Sequence, residues 1–292
     1  MKRIFVAASL TLCITIASAQ DIVKRVATEI CNCVDTIENL DSLDAKLNRC
    51  APLALETVLE NSTEELQEAY STEEAFEETL EKAFEVLLSE CPKIRYYIIE
   101  ERRSDFYKLS DSEDANKYYE AGNALLEKED FKGALKSYSK ALKKDPEFIY
   151  AIDNKALAYR RSGDSKNAIK YYLKSLELYP EGSFALQNLA AAYTYIKDYN
   201  NALEYYNRLT YYYPTDPEGY FGLGKVLMMM EDYEKAIDFI FIAHKIYSIQ
   251  GSEYITETRE LSLEIFSNLK KKDELDLFYQ KAKEYGIEIN EN

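Results

Sequence analysis

The chain has 292 residues, 36 of them basic and 52 acidic, for a formal net charge of −16. That acidity argues against a nucleic-acid backbone as the main partner, because each phosphate contact needs local positive charge. One His (His244), nine Gly and no Trp leave little material for His-based catalysis or glycine-rich phosphate loops, while 47% hydrophobic residues support a folded core.

Residues 1–19 begin with Lys2-Arg3, continue through an apolar run from Ile4 to Ile16, and end on Ala17-Ser18-Ala19. A positive start, a short apolar core and small residues at the exit describe a secretory signal peptide cut after Ala19. The run is shorter than the ~20 apolar residues that span a bilayer, and Ser9, Thr11 and Thr15 dilute it. A lipoprotein signal would use Cys13, but Leu12 precedes it where a small residue is wanted. No later stretch is long and apolar enough to span. The mature chain is therefore expected to be exported, periplasmic or secreted from a bacterial-type envelope, with no membrane insertion.

Residues 20–101 are predicted to form a helical domain carrying Cys31, Cys33, Cys50 and Cys91. Apolar positions 22, 23, 26, 30, 34 and 37 make a helical stripe, with Cys31 and Cys33 on its opposite flanks. Helices are expected around Ala45–Glu60, holding Cys50, and Glu73–Glu90, ending before Cys91-Pro92. An even number of cysteines in an oxidising compartment reads as two structural disulfides. A Cys31–Cys33 bridge would strain the geometry, which leaves two connectivities open. Zinc ligands prefer cysteine pairs two to four apart, and a redox motif wants Cys-x-x-Cys on a strand–helix turn; neither pattern is present. Residues 56–101 hold fourteen Glu and three basic residues, read as a solvated helical face, with no EF-hand spacing for calcium. Residues 102–114, rich in Ser, Asp and Arg, read as a linker.

From 115 onward one period governs the chain. Pro146, Pro180 and Pro214 stand 34 residues apart, with Ser248 next. The same spacing relates Asp130, Asp164, Asp198 and Asp232; Ala134, Ala168, Ala202 and Ala236; and Tyr138, Tyr172, Tyr206 and Ile240. Gly122, Ala156, Ala190 and Gly224 form a fifth column. Each unit (115–148, 149–182, 183–216, 217–250) reads as two helices around a short polar turn, closed by proline, and such units bury their faces by stacking.

Tyr118, Gly122, Leu125, Phe131, Ala134, Tyr138, Ala141 and Pro146 resemble the tetratricopeptide repeat consensus. Departures are Ser165 and Ser175 in the second unit and Ser248 for the closing proline of the fourth. The resemblance implies an all-α right-handed superhelix of antiparallel helix pairs across 115–250, preceded by the disulfide-stapled domain. Residues 251–292 would then be a degenerate repeat or capping element, with helices over 251–270 and 273–285. It also implies a concave groove lined by the first helix of each pair. Its wall would comprise Tyr119, Asn123 and Leu126; Tyr150, Asp153, Asn154, Leu157 and Arg160; Phe184, Gln187, Asn188 and Tyr195; and Phe221, Lys225, Met228 and Met229. Asn amides both donate and accept, suiting them to clamp a peptide backbone, and Tyr gives broad contact with few rotors. Some members of that family hold a C-terminal carboxylate with Lys and Asn. Asn123 and Asn154 match two such positions, whereas Tyr119 stands where the clamp has Lys.

The expected function is that of a non-enzymatic adaptor or scaffold that binds protein or peptide segments in the groove, without cofactor, metal or nucleic acid. Self-association through the solenoid ends is a further expectation. The alternative is a thiol-redox enzyme or redox-dependent chaperone using Cys31 and Cys33.

Overall fold

The structure, a computed structural model, describes residues 21–34, 43–70 and 72–288, so the expected signal segment lies outside the described residues. No strand occurs among them. Contacts divide the chain into two compact units, Met1–Glu101 and Arg102–Asn292.

The first unit packs α1 (residues 21–34), α2 (Leu43–Glu60), α3 (Glu64–Ala69), α4 (Glu73–Glu90) and the start of α5 (Pro92–Phe106). The stripe on α1 does what its spacing demands: Ile22, Val26, Ile30 and Val34 are buried against Ala51, Ala54, Leu55 and Val58 of α2 and Ala83, Leu87 and Ile94. Thr72 caps α4 by accepting from the Ala75 N–H at 3.2 Å. Two disulfides fix the cluster, Cys31–Cys91 and Cys33–Cys50. Cys50 and Cys91 are fully buried beside the apolar face of α1. Of the two connectivities open from sequence, the structure contains this one. The short α3 and the whole of α5 were not expected; Pro92 at the first position of α5 needs no N–H partner and favours a helix start.

The second unit contains four helix pairs: α6 (Glu113–Glu127) with α7 (Phe131–Lys144), α8 (Ile149–Arg161) with α9 (Ser165–Leu178), α10 (Ser183–Tyr195) with α11 (Tyr199–Tyr212), and α12 (Pro217–Met229) with α13 (Tyr233–Gln250). The Asp column is a column of helix caps. Asp130, Asp164, Asp198 and Asp232 accept from the backbone N–H of Gly133, Asn167, Asn201 and Lys235 at 3.0, 3.1, 3.4 and 3.4 Å. The residue before each Asp (Glu129, Gly163, Lys197 and Glu231) takes a left-handed φ of 58, 87, 62 and 60°, ending the first helix of each pair. Tyr138 and Tyr172 are fully buried, and Tyr206 is 8% exposed. A side chain at Gly122 would collide with the Tyr138 ring, so the small column makes room for the aromatic one.

The closing residues act as their chemistry requires. Where proline stands at 146, 180 and 214, the second helices α7, α9 and α11 are each 14 residues long. Pro lacks the N–H that would continue the helix. With Ser248 at the equivalent place, α13 runs to 18 residues and stops only at left-handed Gly251. Beyond it α14 (Ile255–Lys272) and α15 (Leu275–Tyr285) cover the end of the stack, burying Leu261, Ile265, Leu269, Phe278 and Ala282 against Ile237, Ile240 and Phe241.

The expected linker is not a free connector. Residues 102–106 continue α5, and Ser112 caps α6 by accepting from the Ala115 N–H at 3.3 Å. Between them Ser110 and Asn116 exchange two hydrogen bonds: the Ser110 N–H donates to Asn116 Oδ1 at 2.9 Å, and Asn116 Nδ2 donates to the Ser110 carbonyl at 2.7 Å.

Candidate functional site

The first helices of the pairs touch one another in series, α6 to α8 to α10 to α12. Side chains that bridge them mark the wall anticipated from the repeat register. Asn154 Nδ2 on α8 donates to Asn123 Oδ1 on α6 at 2.9 Å and to the Tyr119 hydroxyl at 3.3 Å. Tyr138 Oη donates to the same Asn123 oxygen at 2.7 Å. Further along, Gln187 Nε2 on α10 donates to Glu218 Oε2 on α12 at 2.8 Å, while Tyr247 Oη donates to Glu218 Oε1 at 2.6 Å. Asn188 turns back on its own helix and donates to the Phe184 carbonyl at 2.8 Å.

The amides read as backbone clamps therefore already have partners. Asn123, Asn154, Gln187 and Asn188 hold the wall's own geometry first. Leu126 is a correction: at 7% exposure it belongs to the core with Ala134, Tyr138 and Ala158, and Leu157 packs on the same cluster. Phe184 is half-buried against the Tyr172 ring, 6.4 Å between centroids, and Phe221 and Met228 lean on the α13–α15 core. Arg160, Lys225 and Met229 are exposed, and Tyr195 presents 75% of its surface. Solvent-facing chemistry of the wall is thus concentrated where its first helices end.

The upstream part of this wall has an occupant from the same unit. Phe106 and Tyr107, at and just beyond the end of α5, lie against α8 and the α9–α10 junction. Tyr107 Oη donates to Asp153 Oδ2 at 2.8 Å, and Tyr150 Oη donates to the Tyr107 carbonyl at 3.3 Å. The Tyr107 ring meets Tyr150 and Tyr179 edge-on at 5.3 and 5.8 Å, and Phe106 stacks on Tyr179 at 4.7 Å. Arg102 reaches Glu181 at 3.3 Å. Tyr150 and Asp153, both anticipated as groove residues, are consequently engaged. Register could not reveal Tyr107, because it precedes the repeats. Ser175 was the available hint: a hydroxyl in a column otherwise filled by the apolar Ala141, Leu209 and Ala243 signals something polar nearby, and it lies buried beside Asp153 and Tyr107.

Burial dominates the electrostatics here. Asp153 is 2% exposed, and loss of water raises its carboxyl to about 6 despite the opposing hydrogen bond from Tyr107 and the nearby Ser175 hydroxyl. Burial and the neighbouring carboxylate hold the Tyr107 phenol far above its ordinary range, so it stays a donor. Burial likewise lifts Tyr206 to about 12. Among the described residues no group of three or more His, Cys, Asp or Glu is arranged to hold a metal. No described helix is long and apolar enough to cross a membrane. Cys31 and Cys33 bond to separate partners instead of forming a dithiol pair with each other.

Residues 123–256 match the family model described as Psidin, N-terminal TPR repeats region. Among solved structures, MamA residues 41 to the end from Desulfovibrio magneticus RS-1 superimposes with a TM-score of 0.51 at 19% identity, covering 60% of this chain and 95% of that one. A double mutant of MamA from RS-1 gives 0.50 at 20% identity, covering 61% and 97%. No curated protein matches the chain significantly. The fold is accordingly all-α, a tetratricopeptide-type solenoid preceded by a small disulfide-stapled helical unit.

Proposed function

We propose that the protein is a non-enzymatic, exported adaptor that captures segments of other proteins on the inner wall of its solenoid. Export rests on the sequence of residues 1–19, together with the disulfides, which persist in oxidising compartments. One observation carries the binding site: beyond the wall's prefixed hydrogen-bond network, its first helices expose Tyr195, at 75%, and Arg160, Lys225 and Met229 to water. A rigid backing with exposed Tyr, Arg and Met anchors is the composition of binding hot spots, and preorganisation lowers the entropy lost on association.

Because Phe106 and Tyr107 cover the wall around Tyr150 and Asp153, the end of α8 and the third and fourth units form the receiving part. Recognition there needs shape and hydrogen bonding and no bond chemistry. Placing a photo-crosslinking amino acid at Tyr195, and as a control at Tyr211 on the second helix of the same pair, tests this in the native compartment. Partner crosslinks from position 195 and none from 211 support the reading; crosslinks from 211 alone reject it.

A further inference from the structure

The absent proline at position 248 has a second effect. Because α13 continues to Gln250 where its counterparts stop after 14 residues, Ser248 and Ile249 extend the face that Lys245 already presents toward α14. Between α13, α14 and α15 lies a cavity of about 990 Å³. Its apolar lining includes exposed Ile249 and Leu263 over a floor of Phe241, Phe266 and Phe278, whose rings interlock edge-on: Phe241 to Phe278 at 5.6 Å and Phe266 to Phe278 at 5.3 Å.

The polar part of the lining combines two cations with the hydroxyls of Ser248, Ser262 and Tyr279. Lys245 and Arg259 are both exposed at the cavity and neither forms an ion pair among the described residues. Glu288 is the single acidic residue of the lining. His244 adds an imidazole to the lining. His244 Nδ1 and Thr258 Oγ1 share a hydrogen bond at 2.8 Å, and Nε2 is the ring's remaining polar atom. In a chain of net charge −16, two unpaired cations beside an aromatic-walled cavity favour an anion carrying an apolar body.

The lining also discriminates between a peptide and an alkyl chain. The inner wall of the solenoid carries Asn and Gln amides, which both donate to and accept from a peptide backbone; this cavity has none, its uncharged donors being the hydroxyls of Ser248, Ser262 and Tyr279 around the cations. An alkyl chain has no backbone groups to satisfy and pays no penalty for their absence.

We infer that the cavity between α13, α14 and α15 binds a long-chain carboxylate, its chain among Phe241, Leu263, Phe266 and Phe278 and its head group at Lys245 and Arg259. The probe is dodecanoate, titrated by calorimetry into the full-length mature protein at pH 8 and below its micelle concentration, with dodecanol as the uncharged counterpart. The expected result is saturable one-to-one binding with about tenfold preference for the carboxylate, lost in the Lys245→Gln/Arg259→Gln double variant. Leu263→Glu, at a position 67% exposed, should abolish binding while leaving thermal unfolding unchanged. Equal binding of acid and alcohol, full binding by the double variant, or no saturation below about 1 mM would overturn the inference. Crosslinking from Tyr195 reports on the inner wall and is unaffected by any of these outcomes, so the two readings fail separately.

Discussion

Tyr107 Oη donates to Asp153 Oδ2 at 2.8 Å, joining the stretch just past α5 to the interior of the second repeat. The acceptor is buried, so the bond is formed with a carboxylate that has lost its water. Tyr107→Phe should destabilise the second unit by about 1.5–3 kcal/mol, the range for a hydrogen bond to a charged group. Chemical denaturation measures the loss, and amide exchange across residues 102–111 should quicken in the same variant. Unchanged exchange would mean that the rings alone hold the segment.

The same carboxyl sets a pH dependence opposite to that of an ordinary ion-paired Asp. Its folded value, about 6, lies above the ordinary 3.8, so between those values the folded state holds the proton more tightly. Its contribution to stability is therefore full below about pH 3.8 and declines as pH rises through about 6. Asp153→Asn should flatten this part of the stability profile and raise stability at pH 7.5 by about 1–3 kcal/mol. Urea midpoints at pH 4.5 and 7.5 for the two proteins decide the matter.

Removing one bridge from the first unit should leave the second intact. Cys33→Ser/Cys50→Ser opens a loop with a sequence separation of 17 and should lower the first unit's stability by about 2–4 kcal/mol. Differential scanning calorimetry should show one transition moving down. A shift of the whole profile would reject independent units.

The turns allow a gain instead of a loss. Lys197 holds a φ of 62°, a conformation that Gly163 fills at the same place one repeat earlier. Lys197→Gly should stabilise the third pair by about 0.5–1 kcal/mol, the left-handed strain less the added chain entropy. A lowered melting temperature would show that the lysine side chain contributes contacts that outweigh the strain.

Asn154→Ala separates wall architecture from partner contact. Its amide bridges Asn123 and Tyr119, so the substitution should lower stability by about 1 kcal/mol even with no partner present. The expectation of a purely receptive amide came from reading groove positions without their neighbours.

That contrast shows where sequence was informative. The helix pairs were legible because every column repeats a physical demand: Asp caps the second helix, a small residue admits Tyr138 or Ile240, and Pro stops the pair. Hydrogen bonds among wall side chains depend on the stagger between pairs, which periodicity does not carry. Tyr107 sits in a polar stretch with no period, and Asp153 had no visible partner within its own repeat. The cysteine pairing was undetermined because α2 and the end of α4 offered equivalent neighbours to the two flanks of α1. Ser248 was visible as a departure, but its effect, an extra turn of α13 and the cavity beside it, required the three-dimensional arrangement.

The two bridges leave α1 from residues only two positions apart and run to different helical neighbours. A rod pinned at one point can still spin about its axis or swivel about the pin. Pinned on both flanks within a single turn, it can do neither, and its apolar stripe cannot slip to a new register even when neighbouring packing loosens. Oxidation thereby sets the direction in which this rod faces, a property that no amount of added burial would secure as firmly.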